Sequence, residues 1–257
     1  MKKKIDILLI IFFIIATAAL VVSLIPSIKI FPDEKINTIF KDSLARFFFG
    51  LFFIYLIFTS KYKEQLRFHF EPKSLLWAIP VILVALVNFP YSSLIMGTAK
   101  VTKMDYLGVL IFYCLAVSLL EEMFFRIILF NFIFEKLSNK KYPYILSVII
   151  TSLIFGVWHF INLITGAQII ATLIQVGYTT LIGCMLSVTF TKTKNIYFCI
   201  LVHSVFDFGG FIINILGEGS FQDMWFWILT IVCGVFCGIH ILFTSIKIEK
   251  QLSLNNE

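Results

Sequence analysis

The sequence predicts an all-α polytopic membrane protein of about eight transmembrane helices, with N- and C-termini cytoplasmic. Three observations carry that prediction. The 257 residues are 60% hydrophobic and only 14% charged, with a mean hydropathy of +0.96, which leaves too little polar surface to coat a water-soluble globule. The apolar residues come in runs of about 20, the length at which an α-helix crosses hydrocarbon, without the short alternating segments of an outer-membrane barrel. Basic residues cluster in every second connection, as topology signals do.

Taken in order, Lys2, Lys3 and Lys4 precede an apolar run from Ile5 to Ile25. Its basic start resembles a secretory signal, but its length is that of a full span, and Ala16-Thr17-Ala18 lies in its middle rather than after it, so it reads as an uncleaved first span. Further spans are expected at about 43–59, 75–96, 106–134, 143–161, 169–190, 196–215 and 224–246. With the N-terminus inside, the cytoplasmic segments hold Lys2, Lys3, Lys4, Lys61, Lys63, Arg67, Lys73, Lys136, Lys140, Lys141, Lys192, Lys194, Lys247 and Lys250, and the outer ones only Lys29, Lys35, Lys41, Lys100 and Lys103. That bias supports the eight-span count. The net charge of +6 is thus spread over short clusters between spans rather than along one face, which argues against a nucleic-acid partner. No linker or repeat divides the chain, so residues 1–257 form one transmembrane domain. The five cysteines, an odd number within apolar spans and without a C-x-x-C spacing, read as packing thiols.

Polar intrusions into these spans locate the candidate site. The fourth span carries Glu121, Glu122 and Arg126 within an apolar run, the fifth ends near Phe155-Gly156-Val157-Trp158-His159, and the seventh contains His203 and Asp207. An ionised side chain in hydrocarbon costs a few kcal/mol on insertion scales, so such residues face a bundle interior or a water-filled cavity and carry function. Glu122 and Arg126 are four apart, an ion-pairing distance on a helix, as are His203 and Asp207. Glu121 stands about 100° round the helix from Glu122 and is left free to act. Taken singly, each group has a plainer reading: Arg126 snorkels to the interface, and an intramembrane histidine bridges helices. Two carboxylates, two histidines and an aspartate on three spans are too costly a set for packing alone.

A carboxylate beside imidazoles holds and deprotonates a water, and a histidine with a side-chain acid or amide stabilises the oxyanion formed when that water attacks a carbonyl. The chemistry is hydrolysis of a peptide bond without a covalent intermediate. Neither a G-x-S-x-G nor an H-E-x-x-H motif is present. A Cys199–His203 pair is the geometric alternative, four residues apart on one face.

E-E-x-x-x-R at Glu121 to Arg126, F-x-x-x-H at Phe155 to His159 and H-x-x-x-[ND] at His203 to Asp207, ordered along separate spans, resemble the CAAX-protease and bacteriocin-processing (CPBP, or Abi) family of intramembrane endopeptidases. The resemblance covers about residues 105–215, the expected catalytic core. It implies that Glu121 activates water with His159 assisting, that His203 and Asp207 form the oxyanion-stabilising pair, and that Glu122 and Arg126 support the site. Asp207 stands where the family most often has Asn, and Ile127 where a glycine frequently follows the arginine. The family is described both as metalloproteases and as metal-free glutamate enzymes; Glu121, His159 and His203 would be the ligands of zinc or another divalent metal, with a metal-free water held by Glu121 and His159 slightly favoured. The implied substrate is a small hydrophobic or membrane-associated peptide in a bacterial plasma membrane. The alternatives are a non-catalytic bacteriocin-immunity or binding protein, and a proton-coupled transporter, for which repeat-related halves are expected and none is legible. One expectation conflicts with the rest. Counted from the cytoplasmic helix ends, Glu121 lies about 20 Å deep, His159 about 24 Å and His203 about 10 Å, too far apart for straight, upright helices.

Overall fold

The computed structural model describes residues 11–254 except 12, 13, 16, 19, 24, 26 and 165. Of the predicted first span, 5–25, eleven residues lie outside the described ones, and those described between 11 and 23 are helical. Seven helices that follow are long and apolar enough to cross a membrane: α1 Glu34–Thr59, α2 Pro72–Ile95, α3 Met104–Lys136, α4 Pro143–Leu163, α5 Ile169–Thr193, α6 Ile196–Leu216 and α7 Met224–Leu254. They correspond one to one with the seven later spans expected from hydropathy. The fold is all-α and polytopic.

Local sequence sets the ends. Asp33 caps α1, its carboxylate accepting from the Ile36 N–H at 3.0 Å. The same carboxylate meets Lys103 at the start of α3; these two donors hold the Asp33 carboxyl below the usual carboxylate range. α1 consequently begins nine residues, about two and a half turns, before the predicted boundary, and Lys41, expected in an outer loop, lies inside the helix. Its ammonium is buried and donates to the Ile25 carbonyl at 2.7 Å. Pro143 sits at the first position of α4, where its missing N–H costs nothing. Lys194 takes a left-handed conformation (φ 54°) to end α5, and Asn195 caps α6 by accepting from the Phe198 N–H.

α1 packs on α3, α3 on α6, α4 on α5, and both α6 and α7 on α2. Lipid tails are as apolar as leucine, so close backbone approach and hydrogen bonds must supply much of the association. Gly156 of α4 meets α5 so closely that an added Cβ would lie 2.0 Å from the Thr180 hydroxyl oxygen and 2.7 Å from the Val176 carbonyl oxygen. A buried Ser118–Ser204 hydrogen bond joins α3 to α6. The α7 surface presents Val232, Val235, Phe236, Ile239 and Phe243 outwards, as a lipid-facing wall does.

Two features were not legible in hydropathy. A two-stranded antiparallel pair, β1 Ala99–Val101 with β2 Gly217–Gly219, ties the α2–α3 connection to the α6–α7 connection, with Ala99 opposite Gly219 and Val101 opposite Gly217. In addition, the α5–α6 turn is partly covered, although Lys194 within it is exposed. Asn195 and Ile196 are 5% and 0% exposed; Asn195 donates to the His69 carbonyl at 2.6 Å and the Tyr197 hydroxyl to the Leu66 carbonyl at 2.8 Å. The α1–α2 connection therefore folds over the start of α6. The depth conflict does not arise in the structure: His203 reaches Glu122 at 2.9 Å and Glu121 at 3.7 Å.

Replacing Gly156 by Ala is expected to overpack the α4–α5 seam, at a cost of about 1–3 kcal/mol, and to lower the thermal midpoint of the purified protein in detergent. Gly177, whose Cβ would meet nothing within 4 Å, supplies the control: Gly177→Ala should leave the midpoint unchanged.

Candidate functional site

The polar residues of α3 lie where its backbone changes. The α-helical ladder runs from Leu107 to Glu122, and the next seven residues, Met123–Leu129, form a π-helix before α-geometry resumes at Phe130. Such π segments inside α-helices are rare and frequent at functional sites. Glu122 and Arg126 pair across the first turn of this segment, with Nε–Oε2 at 2.9 Å and Nη2–Oε1 at 3.2 Å. Both side chains are 0% exposed. Arg126 does not snorkel. Its guanidinium lies over the Phe155 ring, 5.0 Å from the centroid, so the buried Nη1, which has no hydrogen-bond partner among the described residues, faces an aromatic neighbour that offers partial compensation.

His203 joins the three motifs. Its Nδ1 lies 2.9 Å from Glu122 Oε1. Its Nε2 lies 3.7 Å from Glu121 Oε2 and 3.6 Å from Asp207 Oδ2. A carboxylate only accepts, so Nδ1 carries a proton; Nε2 then has a second proton to donate only when the ring is cationic. Asp207 is on the His203 face of α6, as the four-residue spacing predicts.

His159 is oriented by the end of its own helix. The α-geometry of α4 stops at Trp158, and the His159 backbone N–H turns to the Gly156 and Val157 carbonyls. The Phe155 carbonyl loses that helical donor and accepts instead from His159 Nδ1, 3.0 Å away. Since a carbonyl only accepts, the neutral ring presents Nε2 as its basic atom. Phe155 packs edge-on to both histidines, 5.2 Å from His159 and 6.0 Å from His203.

A cavity of about 120 Å³ brings Glu121, His159, His203 and Asp207 together, while Glu122 and Arg126 lie outside its lining. That volume admits several water molecules. Glu121 forms no hydrogen bond among the described residues and is left facing the space. The cavity also takes in Arg46 of α1 and Tyr113 of α3, which sequence reasoning passed over. Arg46 was legible as a charge inside an apolar run, the same signal that singled out Arg126; it is paired with Asp42 at 2.7 Å. Tyr113 had no such signal.

Glu121, His159 and His203, the expected metal donors, all face the cavity. Among the described residues, however, no three His, Cys, Asp or Glu side chains are gathered as a ligand set. The Nδ1–H of His203 is taken by Glu122, which leaves Nε2 as the free ring atom beside Glu121 and Asp207, the way a carboxylate orients an imidazole whose other nitrogen is a donor. Cys199 is buried and its thiol turns to the Leu186 carbonyl, 3.8 Å away, rather than to His203.

Glu122→Gln keeps an acceptor for His203 but strands the Arg126 charge. Breaking a buried pair in this way costs about 3–5 kcal/mol, and the variant should accumulate poorly in membranes and melt earlier. Adding Arg126→Met should restore much of the loss in the same melting assay.

Residues 103–209 match the family model described as type II CAAX prenyl endopeptidase Rce1-like. The matched stretch contains all three motifs and every residue of the His203 cluster. No curated protein and no solved structure gives a significant match to the chain. The motif order, the helical membrane fold and this match agree: over residues 103–209 the chain is similar to the type II CAAX prenyl endopeptidase Rce1-like family.

Proposed function

We propose that this protein hydrolyses a peptide bond of a small hydrophobic or membrane-associated peptide with a water activated by Glu121 and His159. The observation that carries the reading is the partition of the polar cluster: Glu121, His159, His203 and Asp207 line one small cavity, and Glu122 with Arg126 neutralise each other behind it. In this reading a water donates its proton to Glu121 and is aligned by His159 Nε2, the ring atom left basic by the bond to the Phe155 carbonyl. Attack on the scissile carbonyl places negative charge on its oxygen. A cationic His203, fixed through Nδ1 by Glu122, offers Nε2–H to that oxygen. The proton on Glu121 then passes to the leaving amine, so that bond cleavage regenerates the carboxylate. Arg126 has no contact with substrate; it holds Glu122, and through it the His203 ring. A bacterial plasma membrane, with peptide precursors as substrates, is the setting that fits this reading.

Glu121→Gln should reduce cleavage of an apolar peptide library by purified protein in detergent about 10²-fold or more and leave the melting profile intact. His159→Ala should lose activity in the same way. Equal cleavage by these variants and the unaltered chain would sink the catalytic assignment.

Asp207 is the second test. Its carboxylate lies beside His203 Nε2, where an amide also has a donor to offer. Asp207→Asn is expected to retain activity within about tenfold, a difference of roughly 1.4 kcal/mol in barrier, whereas Asp207→Ala should fall well below it. Loss of turnover in Asp207→Asn with the fold retained would instead assign the carboxylate charge itself to holding His203 cationic.

A further inference from the structure

Beside the small cavity lies a larger one of about 780 Å³, and the two share Tyr178, Ile182, Phe206, Asp207 and Phe211. The larger space is walled mostly by apolar side chains of α2, α5, α6 and α7 and reaches the α6–α7 connection at Glu218, Ser220 and Gln222. The helices alternate in direction, so each contributes its lining from the same end of the bundle. α2 supplies Val84 to Asn88 from its later half, α6 supplies His203 to Asn214, α7 supplies Phe226 to Gly234 from its first third, and α4 supplies Phe155 to Asn162 from its last turns. The site therefore opens towards the end carrying β1, β2 and the 164–168 connection.

The opposite end is closed. Glu122 and Arg126, both fully buried, lie beneath Glu121, with Met123 and Ile127 at 0% exposure beside them. Below these, the α1–α2 connection seals the end of the bundle. Gln65 and Asn131 exchange side-chain hydrogen bonds, Lys61 and Tyr62 both bind Glu135, and Leu66 and His69 accept from Tyr197 and Asn195.

The sealed end is the lysine-rich one. Its connections and adjoining helix ends hold Lys61, Lys63, Arg67, Lys73, Lys136, Lys140, Lys141, Lys192, Lys194, Lys247 and Lys250. At the open end, by contrast, stand only Lys29, Lys35, Lys41, Lys100 and Lys103, and the 164–168 and 217–223 connections carry none. Lys100 and Lys103 there are paired with Glu218 and Asp33. An excess of Lys and Arg in short connections marks the cytoplasmic side.

We infer that the active-site cavity opens on the extracytoplasmic face of the membrane, and that its substrates are apolar peptide segments presented from that side. The substrate part of this inference rests on the endopeptidase reading; the direction of opening does not. A peptide whose cleavage site lies only in the cytoplasm would have no path to Glu121. An exported peptide, or the outer end of a membrane-inserted one, reaches it through the larger cavity.

Thiol labelling of the full chain with a membrane-impermeant cationic methanethiosulfonate tests this. Gln222→Cys places a reporter at the mouth, Lys63→Cys places one on the sealed end, and the native Cys233, which lines the larger cavity, reports on the interior, with Cys233→Ser as the blank. In spheroplasts, Gln222→Cys and Cys233 should react as fast as after permeabilisation, and Lys63→Cys should react only in inverted vesicles. Labelling of Lys63→Cys from the outer face, or failure of Cys233 to react from it, would overturn the proposal. Labelling needs no turnover, so an inactive protein in the detergent peptide assay would refute the protease mechanism and leave this result standing.

Discussion

The bridging of Arg126 and His203 by the Glu122 carboxylate is the constraint from which the rest of the site follows. A guanidinium and an imidazole buried in a membrane protein are tolerable when a carboxylate is placed to neutralise and hydrogen-bond them, as Glu122 does here. Satisfying that condition fixes several things at once. It draws α6 against α3, aligns the His203 ring, and presses Arg126 onto Phe155 so that α4 comes into register with both. With these partners occupied, Glu121 and Asp207 are the carboxylates left lining the cavity. The separation of a neutralised pair from an unpaired carboxylate one residue away is thus a packing result.

The same constraint explains why the site has one open side. A buried ion pair needs low exposure on all sides, and the α1–α2 connection provides cover at the lysine-rich end by hydrogen-bonding to the ends of α3 and α6. The open side is built differently. Its polar atoms are held by short β pairing and by lysines engaged with Asp33, Glu218 and the Asn214 carbonyl, which link the helix ends and leave the space between α2, α5, α6 and α7 unfilled.

Much of this was legible in the sequence, for identifiable reasons. Spans are written in runs of apolar residues, and a charge within such a run is conspicuous because it is costly; that is why Glu121, Glu122, Arg126, His203 and Asp207 stood out and why the four-residue spacings gave correct pairings within a helix. Contacts between helices were not legible by the same means. The bond from His203 to Glu122 crosses 81 residues of sequence, and the partly covered start of α6 depends on hydrogen bonds from a connection that reads only as a polar loop. Tyr113 escaped notice because a tyrosine in an apolar span is unremarkable, and Arg46 because its partner Asp42 fell outside the boundary drawn for that span.

The π segment of α3 changes how the family motif should be compared between chains. An α-helix advances by about 100° per residue, so even one extra residue per turn rotates everything downstream by that angle against everything upstream. A helical wheel drawn through 107–136 is consequently two wheels out of phase, joined at Met123. Positions such as Ile127 and Asn131 therefore cannot be assigned to a face by their distance from Glu121. The motif from Glu121 to Arg126 straddles the joint, and a chain that kept its letters on an unbroken α-helix would not aim them in the same directions.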